Sequence, residues 1–265
     1  MNSKKSALDI EWRQFQKKEQ KFLADRAEKK DTFLNRKLAE KVPEKLQGTL
    51  DIAFAKAFGM IFEKGTGVIE KTYKKDELQK SFKINEYADS VWQTRGSLKV
   101  FEKKAEKAGM LNMLLSGATG IGMGAFGVGI PDIAVFTGFI LRSVYEIALD
   151  YGYEYESEAE RCFILLIIEG AVSYGEDLRR IDERLNLYIE GNEVPEGYVE
   201  NQQIVQTAAG LSKELLYMKF LQGIPLVGAV GGAYDVVYLK KITEYANLKY
   251  KKRFLLKKKK EIIVG

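Results

Sequence analysis

Residues 117–132 read GATGIGMGAFGVGIPD. Six glycines fall between Gly117 and Gly129, and no formal charge appears before Asp132. Three readings compete: a phosphate-binding loop, a membrane segment, or a surface where helices touch backbone to backbone. Gly122-Met123-Gly124-Ala125-Phe126-Gly127 has the form G-x-G-x-x-G, and Glu146 lies at about the spacing of a ribose-binding acid. That motif must close a strand and open a helix. The preceding VFEKKAEKAGMLNMLL (100–115) reads as a helix instead. Pro131 falls inside the helix the motif needs, where it removes a hydrogen bond and clashes. No Lys-Ser or Lys-Thr follows, so the Walker A form fails too. Nucleotide binding is set aside.

Residues 108–131 carry no formal charge and are long enough to span a bilayer. Glycine dilutes their apolarity, and a carboxylate such as Asp132 is expensive at mid-bilayer. A full span is not expected, and a shallow or re-entrant insertion stays open. The preferred local reading is close helix packing. Gly120, Gly124 and Gly127 fall on about one helical face, and small residues let helix axes approach tightly. Each glycine costs roughly 1 kcal/mol of helix propensity relative to alanine, so packing has to offset them or else they mark a broken helix. A second patch, GIPLVGAVGGAYD (223–235), repeats the pattern with Gly228 and Gly232.

Working outward, the chain has 265 residues and enough length to bury a substantial core. Only four prolines interrupt it, which favours helix over an all-β chain. There is no histidine, which removes Ser-His-Asp and Cys-His catalysis and the commonest zinc sites. No cofactor or metal is indicated. The single Cys162 excludes an internal disulfide and sits in the apolar run RCFILLIIEG, where a small buried hydrophobe is expected. The N-terminus stays charged, with no apolar stretch of the kind a secretory signal carries. Cysteine usage agrees with a reducing cytoplasm.

The spacing predicts a helix from about Ser6 to Glu40, then one entered at Pro43. Another covers Asp76 to Gly109 with a break near RGS. A long apolar helix follows Pro131 and ends near Gly152. Ser157 and Glu160 form a capping box before the next helix. An amphipathic helix follows over EDLRRIDERLNLYIEG, and another runs from about Asn201 to Leu221. The final helix fades into lysines. The expected fold is all-α, a single multi-helix domain with the two glycine-rich segments at its centre. By composition it divides into a basic amphipathic arm (1–41), a helical domain (42–250) and a basic tail (251–265).

The chain resembles the EcsC protein family. The likeness rests on VPEKL (42–46), the block GATGIGMGAFGVGIPDIAVFTGFILRSVYEIALDYGY (117–153), and GIPLVGAVGGAYDVVYLKKITEYANLKY (223–250). Asp132, Leu141, Arg142, Glu146, Tyr151 and Gly152 carry the family pattern. The resemblance implies a helical protein with no assigned activity and no catalytic residues to transfer. The family is named for a gene beside those of an ABC transporter, which implies work near the cytoplasmic membrane.

The net charge is +5 and is concentrated at the ends. Trp12, Phe15, Phe22 and Phe254 lie among lysines, with Lys257, Lys258, Lys259 and Lys260 closing the chain. That mixture suits an anionic membrane surface. The expectation is a non-enzymatic accessory protein, peripheral to the inner face of the cytoplasmic membrane. Its expected partners are anionic lipids and a membrane protein such as an ABC transporter. Nucleic acid ranks lower, because no binding motif for it appears. Two alternatives are kept. One is an enzyme acting on a lipid or other apolar substrate, with Asp132, Arg142, Glu146 and Asp235 as candidates. The other is a soluble helical scaffold. Arg142 and Glu146 stand i,i+4 and are expected to pair, with Asp150 extending the line.

Overall fold

A computed structural model describes residues 2–29, 44–64, 67–118, 131–191, 193–221 and 233–264. Every regular element among them is a helix: α1 (Asn2–Ala24), α2 (Glu44–Lys64), α3 (Gly67–Glu70), α4 (Lys75–Trp92), α5 (Arg95–Ala118), α6 (Pro131–Asp150), α7 (Glu158–Val172), α8 (Gly175–Gly191), α9 (Glu200–Leu221) and α10 (Ala233–Val264). The packing glycines Gly120, Gly124, Gly127, Gly228 and Gly232 lie outside the described residues.

The sequence signals account for most helix ends. Ser157 caps α7, its hydroxyl accepting from the Glu160 amide at 3.2 Å. The reciprocal half of the capping box is absent, because the Glu160 carboxylate turns inward to Tyr250 and Arg253. The break near RGS falls at Gln93, whose φ of 50° ends α4 in the left-handed region. The first helix is shorter than its apolar spacing suggested. It ends at Ala24 and turns through residues 25–28.

α6 and α7 are buried nearly all round, as helices without a polar face must be. α6 packs against α2, α4, α5 and α10. α10 is the longest element and contacts α1, α5, α6, α7 and α8. Contacts along α10 fix its neighbours' directions. Phe136 meets Tyr238, and Tyr151 Oη donates to Asn247, so α6 runs beside α10 in the same direction. Gly109 lies against Thr243 and Glu102 pairs with Lys251, so α5 runs the opposite way. Glu200 pairs with Arg161 and Glu214 reaches Tyr174, so α9 runs along α7. Glu214 also pairs with Lys241, while Arg161 belongs to the turn of α7 that reaches Arg253 through Glu160. The C-terminal ends of α5 and α9 therefore meet the N-terminal ends of α6 and α10 at one end of the bundle. Both glycine-rich stretches join helices at this end.

Candidate functional site

The four candidate polar residues separate into two groups. Asp132 and Asp235 occupy the first turns of α6 and α10, where a carboxylate complements the helix dipole. Their side chains lie outside the description. Arg142 is ten residues past Asp132, about 15 Å along the axis at 1.5 Å per residue. The two acids thus belong to the glycine end, and Arg142 and Glu146 to the middle of α6. A single compact site holding all four is not formed.

Arg142 Nε donates to Glu146 Oε1 at 2.9 Å, and both side chains are largely buried. Asp150, one turn on, is also buried. Burial pushes its carboxyl up to about 7; Lys104 opposes the shift and Glu146 reinforces it. Nearby, Tyr73 Oη donates to Tyr155 Oη at 2.6 Å, and Tyr155 Oη donates to Glu70 at 2.6 Å. Lys75 joins Glu70 at 3.0 Å and Glu156 at 2.6 Å. Tyr145 stacks on Tyr155 with ring centroids 4.0 Å apart. Burial raises the Tyr73 and Tyr155 phenols, so they act as hydrogen-bond donors and not as bases. Cys162 is fully buried and its thiol is pushed up to about 12, first by burial. It is a packing residue with no thiolate character.

The chain termini depart furthest from expectation. Phe15, Phe22 and Phe254 are core residues, not surface anchors. Trp12 is half-buried and packs on the core, with Lys259 Nζ 4.2 Å from its ring centroid. Lys258 is buried beside Asp89 at 3.6 Å. Lys257 lies 3.7 Å from Glu86, and Lys260 reaches the Glu190 carbonyl at 3.4 Å. The run 251–265 is no separate tail, since α10 continues through it to Val264. The physical reason is ion pairing. Lys241 joins Glu214 of α9, and Lys249 joins Asp182 of α8 and Glu19 of α1. Lys251 joins Glu102 of α5, and Arg253 joins Glu160 of α7. Lys249 is completely buried. Burial alone would raise the Asp182 carboxyl, but Lys249 and the Tyr245 hydroxyl outweigh it and hold it below its usual range. The last helix thus carries a cationic spine, to which α1, α5, α7, α8 and α9 each supply an acid.

The glutamates around the start of α7 differ in burial. Glu154 and Glu156 stay largely exposed while holding Gln79 and Lys75 at 2.7 and 2.6 Å, whereas Glu160 is buried. Tyr151 and Tyr155 are ordinary core residues.

Pattern reading overlooked a groove of about 530 Å³ between α1, α5 and α10. Lys21, Phe22 and Arg26 line one side, with Lys240, Thr243 and Asn247 opposite. Arg26 sits in DRAEKK, an ordinary charged stretch with nothing to set it apart. Among the described residues, no helix is long and apolar enough to cross a membrane, and no acidic or cysteine cluster is placed to hold a metal.

The chain is 29% identical over 144 residues to the uncharacterized protein YdbA of Bacillus subtilis (strain 168). That match covers 54% of this chain and 52% of the relative, so the chain spans about half the length of the curated relative it matches. No solved structure matches it. The model of the EcsC protein family matches residues 9–255, taking in most of α1 and the cationic spine from Lys241 to Arg253, and the chain therefore belongs to that family.

Proposed function

We propose that this is a non-enzymatic, membrane-associated accessory protein. It works on the cytoplasmic face and is held there by the end of the bundle where its glycine-rich stretches begin and finish. One observation supports the reading above the others. The ends of α5, α6, α9 and α10 gather at one pole, and the sequences joining them, 119–130 and 222–232, contain no Asp, Glu, Lys or Arg. A bundle with 30% charged residues thus has both of its longest uncharged connections on one side. Uncharged, largely apolar sequence that starts and finishes at one pole favours shallow burial at a lipid interface. The cationic spine adds little to this attachment, because its lysines already hold acids. Attachment is therefore mainly apolar, and salt weakens it only slightly. A place beside an ABC transport system is part of this proposal, as the family resemblance implies.

The test is flotation of the full chain with vesicles of phosphatidylcholine and phosphatidylglycerol at low and high salt. The protein is expected to float under both conditions. A carboxylate in each stretch, Val128→Asp with Val227→Asp, is expected to lower the bound fraction about tenfold or more. A chain that stays at the bottom of the gradient at low salt overturns the reading.

A further inference from the structure

The groove between α1, α5 and α10 contains a half-buried guanidinium, one nitrogen of which has no hydrogen-bond partner among the described residues. Arg26 Cζ lies 3.8 Å from the Phe22 ring centroid, and Phe22 stacks on Tyr245 at 4.9 Å. The Arg26 carbonyl accepts from the Gly175 amide at 2.9 Å, which fixes its backbone. Its Nη1 is buried and has no hydrogen-bond partner among the described residues. Burial pulls the guanidinium below its usual value, and Glu244 opposes this without bonding to it. A buried guanidinium normally has acceptors, because desolvating it without them is costly.

Glu102 and Glu214 are committed elsewhere. Glu102 takes Lys18 and Lys251, both at 2.7 Å, and Lys18 also approaches Glu106 at 4.0 Å. Glu214, the next acid beyond the groove, takes Lys29 at 2.6 Å and Lys241 at 3.0 Å. Among the groove's charged residues this leaves Lys21, Arg26 and Lys240 against Asp25 and Glu244, an excess of one positive charge. Asn247 Oδ1 already accepts from Tyr151, so its amide nitrogen is the group it has left to offer. The groove therefore presents a forked guanidinium, two ammonium groups and an amide, beside the carboxylates of Asp25 and Glu244. Phosphate supplies several acceptor oxygens and matches a guanidinium fork in a bidentate way.

We propose that this groove binds a phosphate-bearing anion, with Arg26 as its principal donor and Lys21, Lys240 and Asn247 around it. Either a soluble phosphate ester or a lipid phosphate headgroup fits this chemistry. Lys240 is seven residues into α10, about 10 Å along the axis from the glycine end. The site stands on the groove alone and does not require the membrane reading.

Thermal unfolding of the full chain tests it. The ligands are inorganic phosphate, chloride at matched ionic strength, and vesicles with or without phosphatidic acid. Phosphate is expected to raise Tm where chloride does not, which assigns a soluble ligand. A rise only with phosphatidic acid vesicles assigns a lipid headgroup. Arg26→Met is expected to abolish either rise. Without anion its Tm should equal or exceed that of the native chain, because a desolvated charge has been removed. Arg180→Met, at an exposed position, should keep the native response. If Arg26→Met is too unstable to read, Lys240→Gln at the exposed rim replaces it, and a reduced rise is expected. No rise with any anion overturns the proposal, as does an undiminished rise in both groove variants.

Discussion

The two ends of this bundle are built on opposite principles. At one end, α5, α6, α9 and α10 meet where the connecting sequence is uncharged and rich in glycine. At the other, about 38 Å along α10 from Ala233 to Lys258, charge is dense, and Arg95, Lys257 and Lys258 hold acids. There α10 meets α1 through Trp12 and Lys259, and α4 through Asp89 and Lys258. Sequence composition makes the lysine-rich end look like the adhesive one. Its cations are instead used internally, to set the register of the helices around α10. Paired and buried cations have little left to offer a lipid surface, so a lysine-rich composition does not by itself mark a lipid-binding end.

The largest effect should come from breaking the spine. Lys249→Met leaves Asp182 and Glu19 without their shared cation in a buried layer, and should cost about 3–5 kcal/mol of stability by chemical denaturation. A cost under about 1 kcal/mol would show that the spine is ornamental.

Gly152 tests the junction after α6. Its φ is +80°, and a Cβ there would lie 2.2 Å from the Phe82 ring. Gly152→Ala meets both a left-handed backbone and overpacking, for about 2–4 kcal/mol. The same measurement checks it.

Asp150 gives a smaller, pH-dependent effect. Its folded pKa of about 7 lies above the ordinary carboxylate value. The folded chain therefore binds a proton that the unfolded chain has released, and stability attributable to this group falls as pH rises from about 4 to about 7. Asp150→Asn should be nearly neutral at pH 4 and progressively stabilising up to pH 7, with no further gain above. The depressed carboxyls Asp182, Glu214 and Glu102 act in the opposite sense. Their contribution is present above the unfolded carboxylate pKa, near 4, and is lost as pH falls below it. Unfolding of both proteins across pH 3–9 separates the two trends.

The smallest effects are expected at the charged end during membrane binding. Lys257→Gln with Lys260→Gln should change vesicle affinity less than about twofold. If both cations touched anionic lipid, their loss would weaken binding roughly thirtyfold, at about 1 kcal/mol each. The two tryptophans report on the same end. Trp12 lies against Lys259, and Trp92, three residues past Asp89, is 70% exposed. Brominated lipids should quench neither. Quenching of Trp92 would reverse the assignment and place the exposed α4 side chains Ile84, Tyr87, Val91 and Trp92 against lipid.

Local features were legible because local chemistry sets them. The Ser157 cap, the break before Arg95, the entry at Pro131 and the Arg142–Glu146 pair each depend on residues within about one turn. Apolar spacing in α1 correctly marks Phe15 and Phe22 as one stripe but cannot say what covers it. A stripe of aromatic residues beside lysines looks the same whether it faces lipid or a neighbouring helix. The groove was illegible for a related reason, since Lys21, Arg26, Lys240 and Asn247 come from distant parts of the chain.

The amino-acid sequence by itself determined an all-α chain: few breakers, long apolar periodicity, no histidine chemistry and two uncharged glycine-rich stretches. Only tertiary structure decided what the charges do. An isolated lysine-rich helix has no reason to bury its cations. Packed among α1, α5, α7, α8 and α9, it meets Glu19, Glu102, Glu160, Asp182 and Glu214 at ion-pair distance. Desolvation is tolerable only once those partners arrive together, and their arrival is a property of the fold.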